Sequence, residues 1–306
     1  MIFSHDACLA HDPGPGHPEC RERLQAVLAA LADPRFAALA RHDAPPASRA
    51  QLAAAHAGAL LAQVEASAPL AGRVRLDPDT AMSPASLDAA RRAAGAVCAA
   101  IDAVLAGPMR RAFCAVRPPG HHATRDTAMG FCLFNSVAVG ARHAQRAHGL
   151  QRIAIIDFDV HHGNGTQDIF WDDAGVLYAS SHQGPLYPGT GRADERGACG
   201  NVVNAILPPG SGSAAFREAW AGQLLPAIDH FAPQLVLVSA GFDAHRLDPL
   251  ANLDLDTADY AWITAELATL ADRHAEGRMV SSLEGGYSLT ALRDSTAAHC
   301  GALFGV

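Results

Sequence analysis

Residues 153–165, IAIIDFDVHHGNG, pass abruptly from an apolar run into alternating carboxylate and imidazole side chains. Successive side chains of a strand point to opposite faces, so Asp157, Asp159 and His161 share one side of the strand end while Phe158 and Val160 face the other. Two carboxylates and an imidazole suit zinc or a similar divalent ion, which takes a further protein ligand or a water. Asp243, behind Gly241 and Phe242 in SAGFDAH, is the best candidate to complete the set. Two anionic ligands leave a bound water less acidic than three neutral histidines would, so a separate base is useful. His121 and His122, fixed behind Pro118, Pro119 and Gly120, supply one. Asp157 can orient His121, and Asn164 can orient His122 without raising its proton affinity as an aspartate would. Tyr287, in EGGY, can donate its hydroxyl to an oxyanion at a polarised carbonyl, and Gly285 and Gly286 let the backbone come close to a ligand. Each motif alone has a plain structural reading: an aspartate after a strand commonly caps a helix, and a tyrosine after two glycines commonly packs a turn.

These residues need elements that bring them together. Short β-type runs recur as MIF, AFCAV, IAIIDF, VLYASS, VVNAIL, LVLVSA and MVSSLE. Four of them run into polar or glycine-rich sequence, as RPPGHHA, DFDVHHGNG, SAGFDAH and EGGY. Ala-rich segments of helical length lie between strands. Ser83 followed by Pro84 reads as an N-cap opening a helix to about Gly107, with further helices expected over 130–148 and 214–230. Strands alternating with helices predict an α/β chain built on a mostly parallel sheet covered on both faces. Ligands of such sheets lie at the carboxyl ends of the strands, where the four motifs converge.

The chain has 306 residues, 49% hydrophobic and 18% charged, with no linker or compositional break, which predicts one domain over 1–306. A net charge of −8 with scattered arginines excludes the basic footprint of a nucleic-acid binder. No apolar stretch approaches the roughly 20 residues of a membrane span, and the start lacks a signal pattern, so a cytoplasmic location without a membrane partner is expected. Seven cysteines without a C-x-x-C pair fit reduced thiols, with Cys132 expected at a pocket wall.

Taken together, RPPGHHA, GFCLFN, DFDVHHGNGTQDIF, SAGFDAHRLDPL and EGGYSL resemble the zinc-dependent histone deacetylase family in its class II branch, over residues 2–287. The resemblance implies the arginase/deacetylase fold, with an eight-stranded parallel sheet between helices. It implies one zinc ion on Asp159, His161 and Asp243, His122 and His121 as a general-base and electrostatic pair, and Tyr287 as the carbonyl-polarising hydroxyl. It further implies an acyl-lysine tunnel walled by Gly130 and Phe131, with Tyr187 in place of a second tunnel phenylalanine. Ser83 would touch the substrate backbone, and a potassium ion would lie on Asp157 and Ser180. HDPGPGHPE is similar to the family's entrance loop, with Arg23 near the pocket base, which weakens a metal-cluster reading of His5, His11 and His17. Arg21 stands where relatives usually have proline, a departure confined to the local loop.

The reaction so implied removes an acyl group from a lysine side chain, in a peptide or protein, or from a small N-acyl amine. Oligomeric state stays open, a homo-oligomer included. The nearest rival is a polyamine deacetylase; such relatives tend to carry an acidic gatekeeper where this chain has Leu250. A non-catalytic acyl-lysine sensor is a second rival, opposed by the presence of Tyr287 and all three ligands. An arginase-like two-metal hydrolase needs more bridging carboxylates than the region around Asp159 offers.

Overall fold

The computed structural model describes all 306 residues. Ten strands form: β1 Ile2–Ser4, β2 Arg41–Asp43, β3 Val74–Arg75, β4 Ala81–Met82, β5 Arg111–Cys114, β6 Ile153–Asp157, β7 Val176–Gln183, β8 Val202–Leu207, β9 Leu235–Ala240 and β10 Met279–Leu283. Eight make one parallel sheet in the order β2-β1-β5-β10-β9-β6-β7-β8, while β3 and β4 form a small antiparallel pair. The chain leaves a gap between β5 and β6 that β9 and β10 later fill. All seven expected runs become strands. The eighth, β2, is an exposed edge strand of sequence RHD, with no apolar pattern to announce it.

β6, β7, β9 and β10 are buried along their whole lengths, because helices cover both faces. The Ser86–Ala106 and Ser136–His148 helices pack together in one layer, and the Arg21–Ala30, Thr257–His274 and Leu289–Phe304 helices in the other. One contiguous core of 77 buried residues runs from Met1 to Leu303. No helix is long and apolar enough to cross a membrane.

Three helix expectations need correction. The helix expected from 130 begins at Ser136, where Asn135 accepts the Ala138 N–H and caps it. Ser83 does not cap its helix: its hydroxyl accepts the Asp12 N–H, and the helix begins at Ser86. The 214–230 helix is interrupted by a π turn at Trp220–Leu224, just ahead of Pro226, whose missing N–H cannot continue the ordinary ladder.

A buried ionic cluster ties the Pro/Gly-rich entrance loop to the sheet. Arg117 reaches Glu19 through Nε at 2.5 Å and through a second nitrogen at 2.7 Å, and also donates to the Cys8 carbonyl at 2.8 Å. Arg23 donates to Glu19 at 3.1 Å and His11 lies 3.2 Å from it. His11, His17 and His5 are therefore not a metal cluster: His5 caps the Asp6–Ala10 helix and His17 reaches the Asp79 carbonyl. Glu19→Gln leaves two buried guanidinium groups undercompensated and is expected to cost about 3–5 kcal/mol of stability, measured by urea unfolding. Burial alone would push the Glu19 carboxyl up, but Arg117, His11 and Arg23 hold it well below its ordinary 4.5. A carboxylate depressed in the fold stabilises above 4.5, and that contribution is lost as pH falls further. The substitution should therefore also flatten the acid limb of stability; an unchanged limb refutes this role.

Candidate active site

β5, β10, β9 and β6 are neighbours in the sheet, so the four polar segments leave it side by side. The β6 segment delivers Asp159 and His161, and the β9 segment delivers Asp243. All three are buried, and their ligand atoms lie within 4.8 Å of one another. His161 Nδ1 lies 3.1 Å from Asp159 Oδ1 and 3.1 Å from Asp243 Oδ2. Each carboxylate is also held from behind: Gly285 N–H donates to Asp159 at 2.8 Å and Val160 N–H to Asp243 at 2.8 Å.

Two facing carboxylates in a dry site need positive charge. Burial and the Asp159 charge push the Asp243 carboxyl up to about 7. Burial opposes charge on His161, yet the two aspartates outweigh it and raise the imidazole to about 10. The backbone gives way to this cluster, since a Cβ at Gly241 would lie 2.0 Å from Asp159 and one at Gly285 2.0 Å from Asp243. One imidazole and two carboxylates, crowded against glycine backbone, fit a divalent cation with room for further ligands.

Asp157 has a different partner. It accepts from His121 Nδ1 at 3.0 Å and from the Tyr178 hydroxyl at 3.1 Å, leaving Asp159, not Asp157, in the cluster. His122 Nδ1 lies 2.8 Å from Asn164 Oδ1, and the two imidazole rings are 4.0 Å apart. Their environments separate them. Burial would lower His121, but Asp159 and Asp157 raise it well above 6.5; burial, His121 and His161 all push His122 well below. The surroundings thus favour the charged form of one ring and the neutral form of its neighbour, a division suited to acid/base work. Glu284 holds the backbone beneath them, accepting from the Gly120 and His121 N–H groups at 2.6 and 3.2 Å.

A cavity of about 230 Å³ opens above, lined by Asp79, His122, Gly130, Phe131, His161, Leu186, Tyr187, Leu250 and Tyr287. Phe131 adopts φ of 67°, a conformation costly for a non-glycine residue, held by its N–H to Thr80 Oγ1 and by the Met129–Cys132 bridge. Its ring lies edge-on to Tyr287 at 5.9 Å. Preceding it, Gly130 passes so close to the His122 ring that a Cβ would lie 2.5 Å away. Burial drives the Tyr287 phenol well above 10, so it stays protonated and able to donate. Its N–H donates to Asp248 Oδ2 at 2.7 Å, while Leu250 N–H donates to Asp248 Oδ1 at 3.0 Å. Arg23 anchors the same segment through the Gly286 and Glu284 carbonyls.

Some expected residues lie elsewhere. Ser83 is buried beneath the entrance loop and does not line the cavity. Cys132 is also buried away from it, its thiol donating to the Gly130 carbonyl. Ser180 is the register partner of Asp157 across β6 and β7, with its hydroxyl 3.0 Å from His182 Nδ1. All seven cysteines are free. Sequence reading missed Asp79, Asp248 and Glu284. Asp248 and Glu284 stood inside quoted motifs, HRLDPL and EGGY, which offered the available signal.

A family model described as "Histone deacetylase domain" matches residues 17–303. The chain is 40% identical to "Histone deacetylase 14, chloroplastic" of Arabidopsis thaliana, over 100% of this chain and 77% of that protein. It is likewise 40% identical to the "Histone deacetylase-like amidohydrolase" of Pseudomonas aeruginosa, over 94% of this chain and 81% of the relative. The solved HDA15 HD domain superposes with a TM-score of 0.93 at 36% identity, covering 100% of this chain and 88% of that one. With a matching domain across nearly its whole length and the shared eight-stranded fold, this chain belongs to the histone deacetylase family.

Proposed function

We propose that the chain hydrolyses acyl-lysine amides with one zinc ion held by Asp159, His161 and Asp243. The observation that carries this reading is a tunnel that ends on a buried one-imidazole, two-carboxylate cluster with a protonated phenol and a divided histidine pair beside it. When bound, the ion would polarise the acyl carbonyl and acidify the attacking water. Phe131 and Tyr187 would grip the aliphatic stem of the lysine, excluding water from the cleavage point. His122, tied through Nδ1 to Asn164, has Nε2 free to take the proton as water oxygen bonds to the carbonyl carbon. The His121 cation, oriented by Asp157, stabilises the negative charge that develops. Tyr287 Oη–H donates to the carbonyl oxygen as it becomes anionic. The C–N bond then breaks, a histidine proton passes to the leaving nitrogen, and a carboxylate and a free amine result. Buried Asp157 and Ser180, adjacent across two strands, support a potassium ion there, although no step above uses it. Free cysteines throughout fit a reducing cytoplasmic setting.

Asp248 acts through Tyr287 and Leu250 and is a positioning residue. Asp248→Ala is expected to lower kcat about tenfold to a hundredfold with metal content unchanged, because the phenol loses its backbone anchor. Wild-type kcat in a folded variant would remove Asp248 from the mechanism.

An acetylpolyamine substrate is the second reading. Leu250 offers a cationic tail no counter-charge, but Asp79 places a carboxylate on the cavity wall. Kinetics on an acetyl-lysine peptide and on acetylspermidine, each with a chelator control, decide between them. The proposal expects a higher kcat/KM on the peptide and loss of activity with chelator. Preference for acetylspermidine overturns the substrate, and activity that survives complete metal removal overturns the chemistry.

A further inference from the structure

A second cluster of metal-binding side chains lies apart from the active site, where the Ser86–Ala106 and Ser136–His148 helices pack against each other. Asp102 comes from the first helix, His143 and His148 from the second. Both imidazoles aim Nε2 at the same carboxylate oxygen, Asp102 Oδ1, at 2.7 and 2.6 Å. The three ligand atoms lie within 4.8 Å of one another. Asp102 is half exposed while the His143 side chain is only 13% exposed, so one wall of the cluster is fixed and the other open to solvent.

We infer that Asp102, His143 and His148 form a surface site for a divalent transition-metal ion of the nickel, copper or zinc group. Two imidazoles and one carboxylate are the donor set such ions take, with water completing the shell. Donors around a tetrahedral ion with bonds near 2.1 Å stand roughly 3.4 Å apart, so each imidazole moves back by about three-quarters of an ångström to admit it. The exposed Asp102 carboxylate and half-buried His148 have that freedom. No arginine pairs with Asp102; its partners are the two histidines. His148 is also the last residue of its helix, where the terminal carbonyls favour a cation. Asp102 and His148 shortly precede β5 and β6, which places the cluster at the amino edge of the sheet, away from the carboxyl-edge active site.

Bridging two helices, the ion would bind the native chain and not the unfolded one, and so raise thermal stability. The test is equilibrium dialysis of the full chain at stepped, buffered free zinc, with metal counted by mass spectrometry. Wild type should bind a second equivalent. In His143→Gln/His148→Gln and in Asp102→Asn the second equivalent should weaken at least about tenfold, while the first equivalent and the turnover number stay at wild-type levels. With copper(II) added to the zinc-loaded wild type, electron paramagnetic resonance should show coupling to two imidazole nitrogens. Coincident zinc titrations of wild type and the double variant, or a second equivalent absent from wild type, overturn the inference. Loss of the first equivalent in wild type would instead overturn the active-site reading.

Discussion

Turnover should disappear, and the active-site ion with it, when Asp243 is replaced by alanine. Asp243 contributes one of two carboxylates that face His161 at 3.1 Å, and its other oxygen holds the Val160 N–H. Removal leaves a single aspartate and an imidazole, too few donors to keep a dication in competition with buffer. Loss of the ion withdraws several kcal/mol of carbonyl polarisation, about 10³-fold or more in rate. Asp243→Asn provides the control for folding: it keeps the shape and the Val160 contact but removes the charge, and should lose metal to a similar degree. Metal content and kcat are read together, with near-ultraviolet circular dichroism to show that the core is intact. A folded Asp243→Ala chain that keeps the active-site equivalent and wild-type kcat would end the metal assignment.

Tyr287→Phe should lower kcat by about 10²–10³ while KM and metal content change little. The phenol donates only once the carbonyl oxygen gains charge, so its loss falls on the transition state and not on substrate binding. Fold and stability should survive, because the ring packs against Phe131 and under Arg23 without needing its hydroxyl. A variant that retains wild-type kcat would leave the tyrosine a mere wall of the tunnel.

Much of this site was legible because its residues end strands that are buried on both faces. Such strands read as short apolar runs, so the change to Asp, His or Gly marks the carboxyl edge of the sheet. β6, β7, β9 and β10 were visible for that reason, whereas the charged edge strand β2 carried no such contrast. Neither do supporting residues advertise themselves. Glu284 and Asp248 act by accepting backbone N–H groups, and nothing about a single carboxylate in a loop says which amides will meet it. Ser83 and Pro84 looked like a helix start because local cap chemistry was satisfied, but the entrance loop claimed the serine hydroxyl first. Glu19 shows the reverse: a loop residue by composition, it is buried beneath Arg117 and Arg23 and fastens the entrance loop to the segment bearing Tyr287.

None of the ion pairs and carbonyl contacts described above uses a side-chain amine, and the sequence contains no lysine at all. A chain proposed to strip acyl groups from lysine therefore offers none of its own as a decoy. Acylating metabolites cannot mask its ion pairs or tune its activity through side-chain amines.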